Sequence, residues 1–252
     1  MNTTTWVSRD QLIPDTIKKF EHVETVLDIG PGIQPQQYIK PLVHICAEPF
    51  HQYVERLQQI AVTAKDRAFV VLPMTWAEAT KYFPEKSVDT VLLLDVIEHL
   101  EKKEGQELLE KTLRIARRQV IIFTPLGFVT QLHADNKDAW GLDGGSWQEH
   151  KSGWLPEDFT DGWEVIACKD FHKTDNMGKP RAEAAGALWA IHTQPSTTEP
   201  TPFRRVLLDL WQAGVRNNYR PTIRVAIKLL DASNKTKRYL WPLLKWFIRA
   251  EP

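Results

Sequence analysis

Apolar positions along this chain fall into two kinds of run. Short, near-continuous apolar stretches recur at residues 26–29, 42–47, 68–72, 88–94, 119–123, 163–168 and 187–193. Runs of that length, rich in Val, Ile and Leu, predict strands covered on both faces. The other kind has apolar residues three and four apart, the spacing of one helix face. Residues 8–20 place Leu12, Ile13, Ile17 and Phe20 this way, and residues 51–64 place Tyr53, Val54, Leu57 and Ile60. A third helix is expected up to Phe83, and a fourth carries Leu108, Leu109, Thr112, Leu113 and Ala116. Residues 155–159 are expected to start another, with Pro156 near its first turn. Strands alternate with helices as far as the fifth strand, and the last two strands close as a pair. Residues 170–185 between that pair are charged and expected to be exposed. The order predicts an α/β fold with a doubly wound, seven-stranded, mostly parallel sheet.

The first apolar run, Val26-Leu27-Asp28-Ile29, leads straight into Gly30-Pro31-Gly32. Glycine at such a turn permits a positive φ and lets a ligand approach the main chain closely. A G-x-G alone is equally a plain tight turn. Its context adds an acidic residue, Glu48, at the end of the second run and twenty positions after Asp28. A carboxylate at that place can accept both hydroxyls of a ribose. The ligand could be a dinucleotide or S-adenosylmethionine. Dinucleotide sites want G-x-G-x-x-G, so that a helix N-terminus can hold the pyrophosphate. Here Pro35 stands at the third position. An acidic residue two before the first glycine, as Asp28 is, suits a cationic ligand better.

The string V-L-D-I-G-P-G resembles the first motif of the class I S-adenosylmethionine-dependent methyltransferases. Gln34 stands where that family often has a third glycine. Asp95-Val96-Ile97-Glu98-His99-Leu100 resembles the family's fourth motif, and residues 152–159 resemble its S-x-W-x-P-E-D-F string. The resemblance covers roughly residues 20–193. It implies a Rossmann-like methyltransferase fold and S-adenosylmethionine as cofactor. It places Asp28, Gly30, Gly32, Glu48 and Asp95 at the cofactor, with Thr75 and Trp76 in the loop that contacts adenine. Trp76 is equally readable as a core residue of the helix that follows. His99 and His150 are the candidate bases for an acceptor proton, because both should lie near the strand ends and imidazole titrates usefully. Each also has a plainer role open to it, in helix packing or in an exposed loop. Asp95-x-x-Glu98-His99 is similar to the metal-binding E-x-x-E-H of some O-methyltransferases acting on quinone precursors and RNA ends. Metal-free members carry similar strings, and no metal is expected. The polar, Trp-rich residues 133–154 read as a lid or substrate loop over the strand ends.

At 252 residues the chain can bury a sizeable core. Its division is read as a methyltransferase domain over residues 1–193, a Pro/Ser/Thr-rich linker at 194–202, and a basic, Trp-containing helical tail at 203–252. The zero net charge hides an asymmetry: from residue 199 on, eleven Lys or Arg face four Asp or Glu, and the first 198 residues carry −7. An acidic body argues against nucleic acid as partner. A small-molecule or glycan acceptor, with a hydroxyl to be methylated, is the expected substrate. The competing class is a non-catalytic cofactor-binding or interaction module of the same fold. Tyr239, Leu240, Trp241, Trp246 and Phe247 lie among the tail's cations. That suits peripheral contact with an anionic membrane, or a homodimer contact. No apolar run is long enough to span a bilayer and no leader pattern is read at the start. Cys46 and Cys168 sit in apolar runs as buried thiols. A cytoplasmic protein is expected, with the tail offered to the inner face of the membrane.

Overall fold

A computed structural model describes residues 3–133, 135–175 and 178–195. The tail read at 203–252, and the linker beyond Pro195, lie outside the described residues. The elements run β1 (Thr3–Trp6), α1 (Arg9–Ile17), β2 (Thr25–Ile29), β3 (Val43–Ala47), α2 (His51–Thr63), β4 (Ala68–Leu72), α3 (Trp76–Tyr82), β5 (Val88–Leu94), α4 (Lys102–Ile115), β6 (Ala116–Pro125), β7 (Trp163–Thr174) and β8 (Pro180–Thr193).

All eight strands join one sheet in the order β1-β7-β8-β6-β5-β2-β3-β4. The pairs from β6 through β5, β2 and β3 to β4 are parallel. β8 is antiparallel to both β6 and β7, and β1 returns parallel to β7. The α/β architecture and the seven expected strands are present. Alternate residues of the central strands point into two separate cores. Leu27, Ile29, Val91, Leu93, Val120 and Ile122 meet Ala79 of α3, Phe83 at its end, and Leu108 and Ile115 of α4 on one face. Val26, Leu92, Ile121, Ile166 and Trp189 meet Leu12 of α1 on the other. Burial on both faces is why these strands read as near-continuous apolar runs.

Four features differ from the sequence reading. An eighth strand, Thr-Thr-Thr-Trp, sits on the sheet edge, mostly exposed. β-branched threonines suit a strand, but a polar exposed edge has no hydrophobic period to reveal it. Residues 30–42 between β2 and β3 hold no helix. Pro31, Pro35 and Pro41 explain this: each lacks an N–H donor and restricts the residue before it. Residues 155–159 make only a single 3₁₀ turn, Pro156–Asp158. Residues 170–185 are strand for most of their length, forming the exposed arm of the β7–β8 hairpin.

The order of connection reverses between β2 and β5. The chain leaves β2 toward β3 and β4, and returns to β5 on β2's other side. Open α/β sheets leave a crevice at such a point, outside the carboxyl ends of the strands. The turn after β2 and the turn after β5 therefore face a common space.

Candidate functional site

The turn after β2 takes the backbone that its glycines allow. Gly30 and Gly32 both have positive φ, +67° and +57°. A Cβ on Gly32 would lie 2.9 Å from the Trp140 ring, so only glycine lets that ring approach. Asp28, at the end of β2, is buried and accepts from the Gln36 amide at 3.2 Å, with His44 Nε2 3.0 Å from the same oxygen. It orders the loop from beneath. Glu48, one residue past β3, accepts from the Gly32 amide at 3.1 Å and from the Phe50 amide at 2.9 Å. Burial pushes its carboxyl up to about 7 against the pull of those two donors. Behind this turn there is no helix N-terminus to meet a pyrophosphate.

The turn after β5 carries the second set of groups. Asp95 holds a left-handed backbone, φ +53°, unusual for a residue other than glycine. Its side chain is exposed along the cleft, deep within the fold. Glu98 is 2% exposed, and one carboxylate oxygen accepts from Thr124 Oγ1 at 3.0 Å. Burial raises both carboxyls, and the charge of Asp95 raises Glu98 further. His99 follows, its ring centroid 5.0 Å from that of His150. Burial and the neighbouring imidazole bring His99 down to about 4, so it is neutral near pH 7.

Residues 126–154 bring His150 there. Lys151 and Ser152 donate their amides to the Glu98 carbonyl at 2.7 and 3.1 Å, and Ser152 Oγ donates to the Ile97 carbonyl at 3.1 Å. Trp154 Nε1 donates to Ser152 Oγ at 3.0 Å, and the Trp154 ring is fully buried. That ring lies over α4 at Gly105, where a Cβ would come within 2.5 Å of it. Lys102 Nζ stands 3.8 Å from the ring centroid on the other side and donates to the Gly153 carbonyl at 2.7 Å. Upstream, Asp138 accepts from Tyr53 Oη at 2.6 Å and from the amides of Trp140 and Leu142, both at 2.9 Å. Trp140 and Trp147 thereby rest on Tyr53 and Phe50 at the start of α2.

Together these turns enclose a cleft of about 690 Å³, within the usual size for a small-molecule site. Asp28, Gly30, Gly32, Asp95, His99 and His150 all line it. Glu48 lies behind Gly32 and, like Thr75 and Trp76, outside the lining. Thr75 is the N-cap of α3, its hydroxyl accepting from the Glu78 amide at 3.3 Å. Trp76 packs against the core and under Lys111 Nζ, 5.3 Å from its ring. Thr75 and Trp76, expected at adenine, have capping and packing roles here. Sequence reasoning missed Gln36, Tyr38, Asp138, His172 and Arg181, which also line the cleft. Only the polarity of the 133–154 segment hinted at Asp138. Arg181 and His172 were hidden because their segment read as a solvated charged loop.

No family model matches the chain, and no curated protein matches it by sequence. Similar solved structures include a SAM dependent methyltransferase from Archaeoglobus fulgidus, 16% identical, with TM-score 0.46 over 74% of this chain and 92% of that one. The N-methyltransferase NodS from Bradyrhizobium japonicum is 12% identical, with TM-score 0.46 over 75% of this chain and 94% of that one. Magnesium protoporphyrin IX methyltransferase from Synechocystis PCC 6803, solved with bound SAM, is 14% identical, with TM-score 0.41 over 73% of this chain and 76% of that one.

Proposed function

We propose that this protein is an S-adenosylmethionine-dependent methyltransferase acting on a hydroxyl of a small-molecule or glycan-type acceptor. One observation carries the reading: the two-glycine turn at the switch point opens onto a cleft walled by Asp28 and Asp95, with no helix behind it. Two carboxylates suit an ammonium and a sulfonium, and the missing helix N-terminus disfavours a pyrophosphate.

The residues divide the work along the cleft. Asp28, Gly30, Gly32 and Asp95 hold the amino-acid end. Glu48 has two of its four lone-pair sites engaged by the Gly32 and Phe50 amides. The rest can accept ribose hydroxyls once a ligand seats beside Gly32. Bound there, the cofactor would supply an electrophilic methyl group on a positive sulfur that can leave as a neutral thioether. The protein holds acceptor and methyl in line and keeps water out, and the Trp140 and Trp147 side of the 133–154 segment suits the second task. In the metal-free site, His99 or His150 takes the hydroxyl proton. Each has its Nδ1 against a main-chain carbonyl, 3.1 Å for His99 and 2.6 Å for His150. A carbonyl only accepts, so in the neutral ring the proton is on Nδ1 and Nε2 keeps its lone pair.

Methyl-labelled S-adenosylmethionine, incubated with the protein and with metabolite and glycan extracts of a strain lacking it, tests this. Label should move into a small-molecule or glycan fraction and not into nucleic acid. Cofactor binding with no labelled fraction would leave a non-catalytic binding module instead.

A further inference from the structure

The cleft extends well past the groups assigned to the cofactor. Phe123 of β6 and Trp189 of β8 continue its wall, and the arm of the β7–β8 hairpin adds His172 and Arg181. The two-glycine turn follows β2, and His99 follows β5. Beyond β5, on the side away from β2, come β6 and then β8. Neighbouring strands lie about 4.8 Å apart, so β8 stands about 10 Å beyond β5. An acceptor whose hydroxyl reaches His99 and His150 therefore lays the rest of its body against this wall.

The wall's chemistry is that of donors without acceptors. Arg181 is the only Lys or Arg among the described residues that line the cleft, where five carboxyl side chains also lie: Asp28, Asp95, Glu98, Asp138 and Asp175. A guanidinium in such company ordinarily pairs with a carboxylate. Arg181 is half-buried, and its one hydrogen bond among the described residues runs from Nε to the Thr174 carbonyl at 3.0 Å. No carboxylate of the described residues pairs with it. The Thr174 bond fixes the planar group on the arm and leaves its terminal N–H donors for a ligand. Asp175, farther along the arm, accepts from the Lys179 amide at 2.9 Å. Two ring nitrogens of the same wall are also unmatched. His172 Nε2 and Trp189 Nε1 are buried and make no hydrogen bond among the described residues. An indole N–H only donates, and a neutral imidazole can present Nε2 as a donor. A buried donor left unpaired costs free energy until a ligand supplies an acceptor. The charge of Arg181 makes protonation of both His172 and His150 harder, so the guanidinium lies in electrostatic range of both rings.

We infer that the acceptor carries an anionic group, a carboxylate or a phosphate, which Arg181 holds from the β7–β8 arm while the acceptor hydroxyl faces His99 and His150. Placing the hydroxyl rests on the methyl-transfer reading, and the anion site rests on the arm alone. A guanidinium meets carboxylate or phosphate oxygens two at a time, which fixes orientation as well as affinity. With one end tied to Arg181, the acceptor can turn only a limited set of hydroxyls toward the methyl group, so the same contact selects which of them reacts. His172 Nε2 and Trp189 Nε1 suit further oxygens of the same molecule. The rings of Tyr38 and Phe123, 5.6 and 4.8 Å from that of Trp189, give the wall between them an apolar surface.

The test uses the full chain with excess demethylated cofactor, titrated calorimetrically with benzoate, phenyl phosphate and benzamide. Benzamide keeps the size of benzoate and lacks its charge. Benzoate or phenyl phosphate should bind at one site per chain, with benzamide at least about tenfold weaker. The tighter of the two anions tells a carboxylate site from a phosphate site. Arg181→Gln should weaken that anion by roughly 10–100-fold, the range for hydrogen bonds to a charged group, and leave binding of the demethylated cofactor unchanged. Arg181→Lys should keep part of the affinity, since it retains the charge without the fork. Lys40→Gln, exposed and outside the cleft lining, should change nothing. Equal binding of benzamide, anion binding that survives Arg181→Gln, or binding of neither anion would overturn the inference. The labelled product of methyl transfer gives a second readout, and it should be retained on an anion exchanger. Label in a neutral fraction would overturn the inference and leave methyl transfer standing. Anion binding lost in Arg181→Gln, with no label in any fraction, would support the anion site and strike methyl transfer instead.

Discussion

At the scale of single residues, the site depends on polar groups held where water cannot reach them. Glu48 is the clearest case. Two amides stabilise its charge, yet burial dominates and lifts it from 4.5 to about 7. A carboxyl raised in the folded state stabilises that state while protonated. Its contribution is full below its unfolded value of 4.5 and is lost as pH rises through about 7. Glu48 should therefore make the ligand-free protein less stable across that window, by on the order of 3 kcal/mol at most. Denaturant unfolding of the parent and of Glu48→Gln, measured at several pH values, checks it. The variant should have a shallower fall in stability over that range, whatever its absolute level. Parallel slopes would mean that Glu48 is ionised throughout. Asp28 and Asp95 were legible as cleft residues, the one from its place two before Gly30 and the other from closing an apolar run. The burial of Glu48 behind Gly32 was not, since it depends on where the turn after β2 folds.

At the scale of elements, the strands and helices were legible wherever both faces or one clean stripe are apolar, and hidden where edges or prolines intervene. β5 reads as a near-continuous apolar run, broken only by Asp89 and Thr90, because it is buried on both faces. β1 has three threonines and a half-exposed Trp6, and no pattern announces it. The meeting of His150 with His99 was foreseen only as nearness to the strand ends. What makes it definite is the Ser152–Trp154 anchor and the gap left by Gly105, both contacts across long sequence separations. α3 shows how a motif position can serve structure instead. Thr75 and Glu78 form a reciprocal capping box, each accepting from the other's backbone amide. Thr75→Ala should destabilise the protein by about 1 kcal/mol through loss of the cap. It should leave S-adenosylmethionine affinity unchanged in calorimetry. A clear loss of affinity with intact stability would return Thr75 to the adenine site.

At the scale of the whole molecule, the sheet's connection order creates the cleft and the turns at two strand ends fill it with chemistry. β2 and β5 are neighbours whose chains depart in opposite directions, so Gly30–Gly32 and Asp95–His99 face each other across one opening. The loop from β6 to β7 closes over that opening, stitched to the turn after β5 at one end and to α2 at the other. Among the described residues no helix is long and apolar enough to cross a membrane. The missing helix after β2 is the feature that separates the two nucleotide readings, because a pyrophosphate would find no helix N-terminus there. Calorimetric titration of the full chain with S-adenosylmethionine, its demethylated product and NAD tests this most directly. The first two should bind at one site per chain and raise the melting temperature, as any native-state ligand does. NAD should give no heat of binding and no shift. Binding of NAD without binding of S-adenosylmethionine would contradict the account.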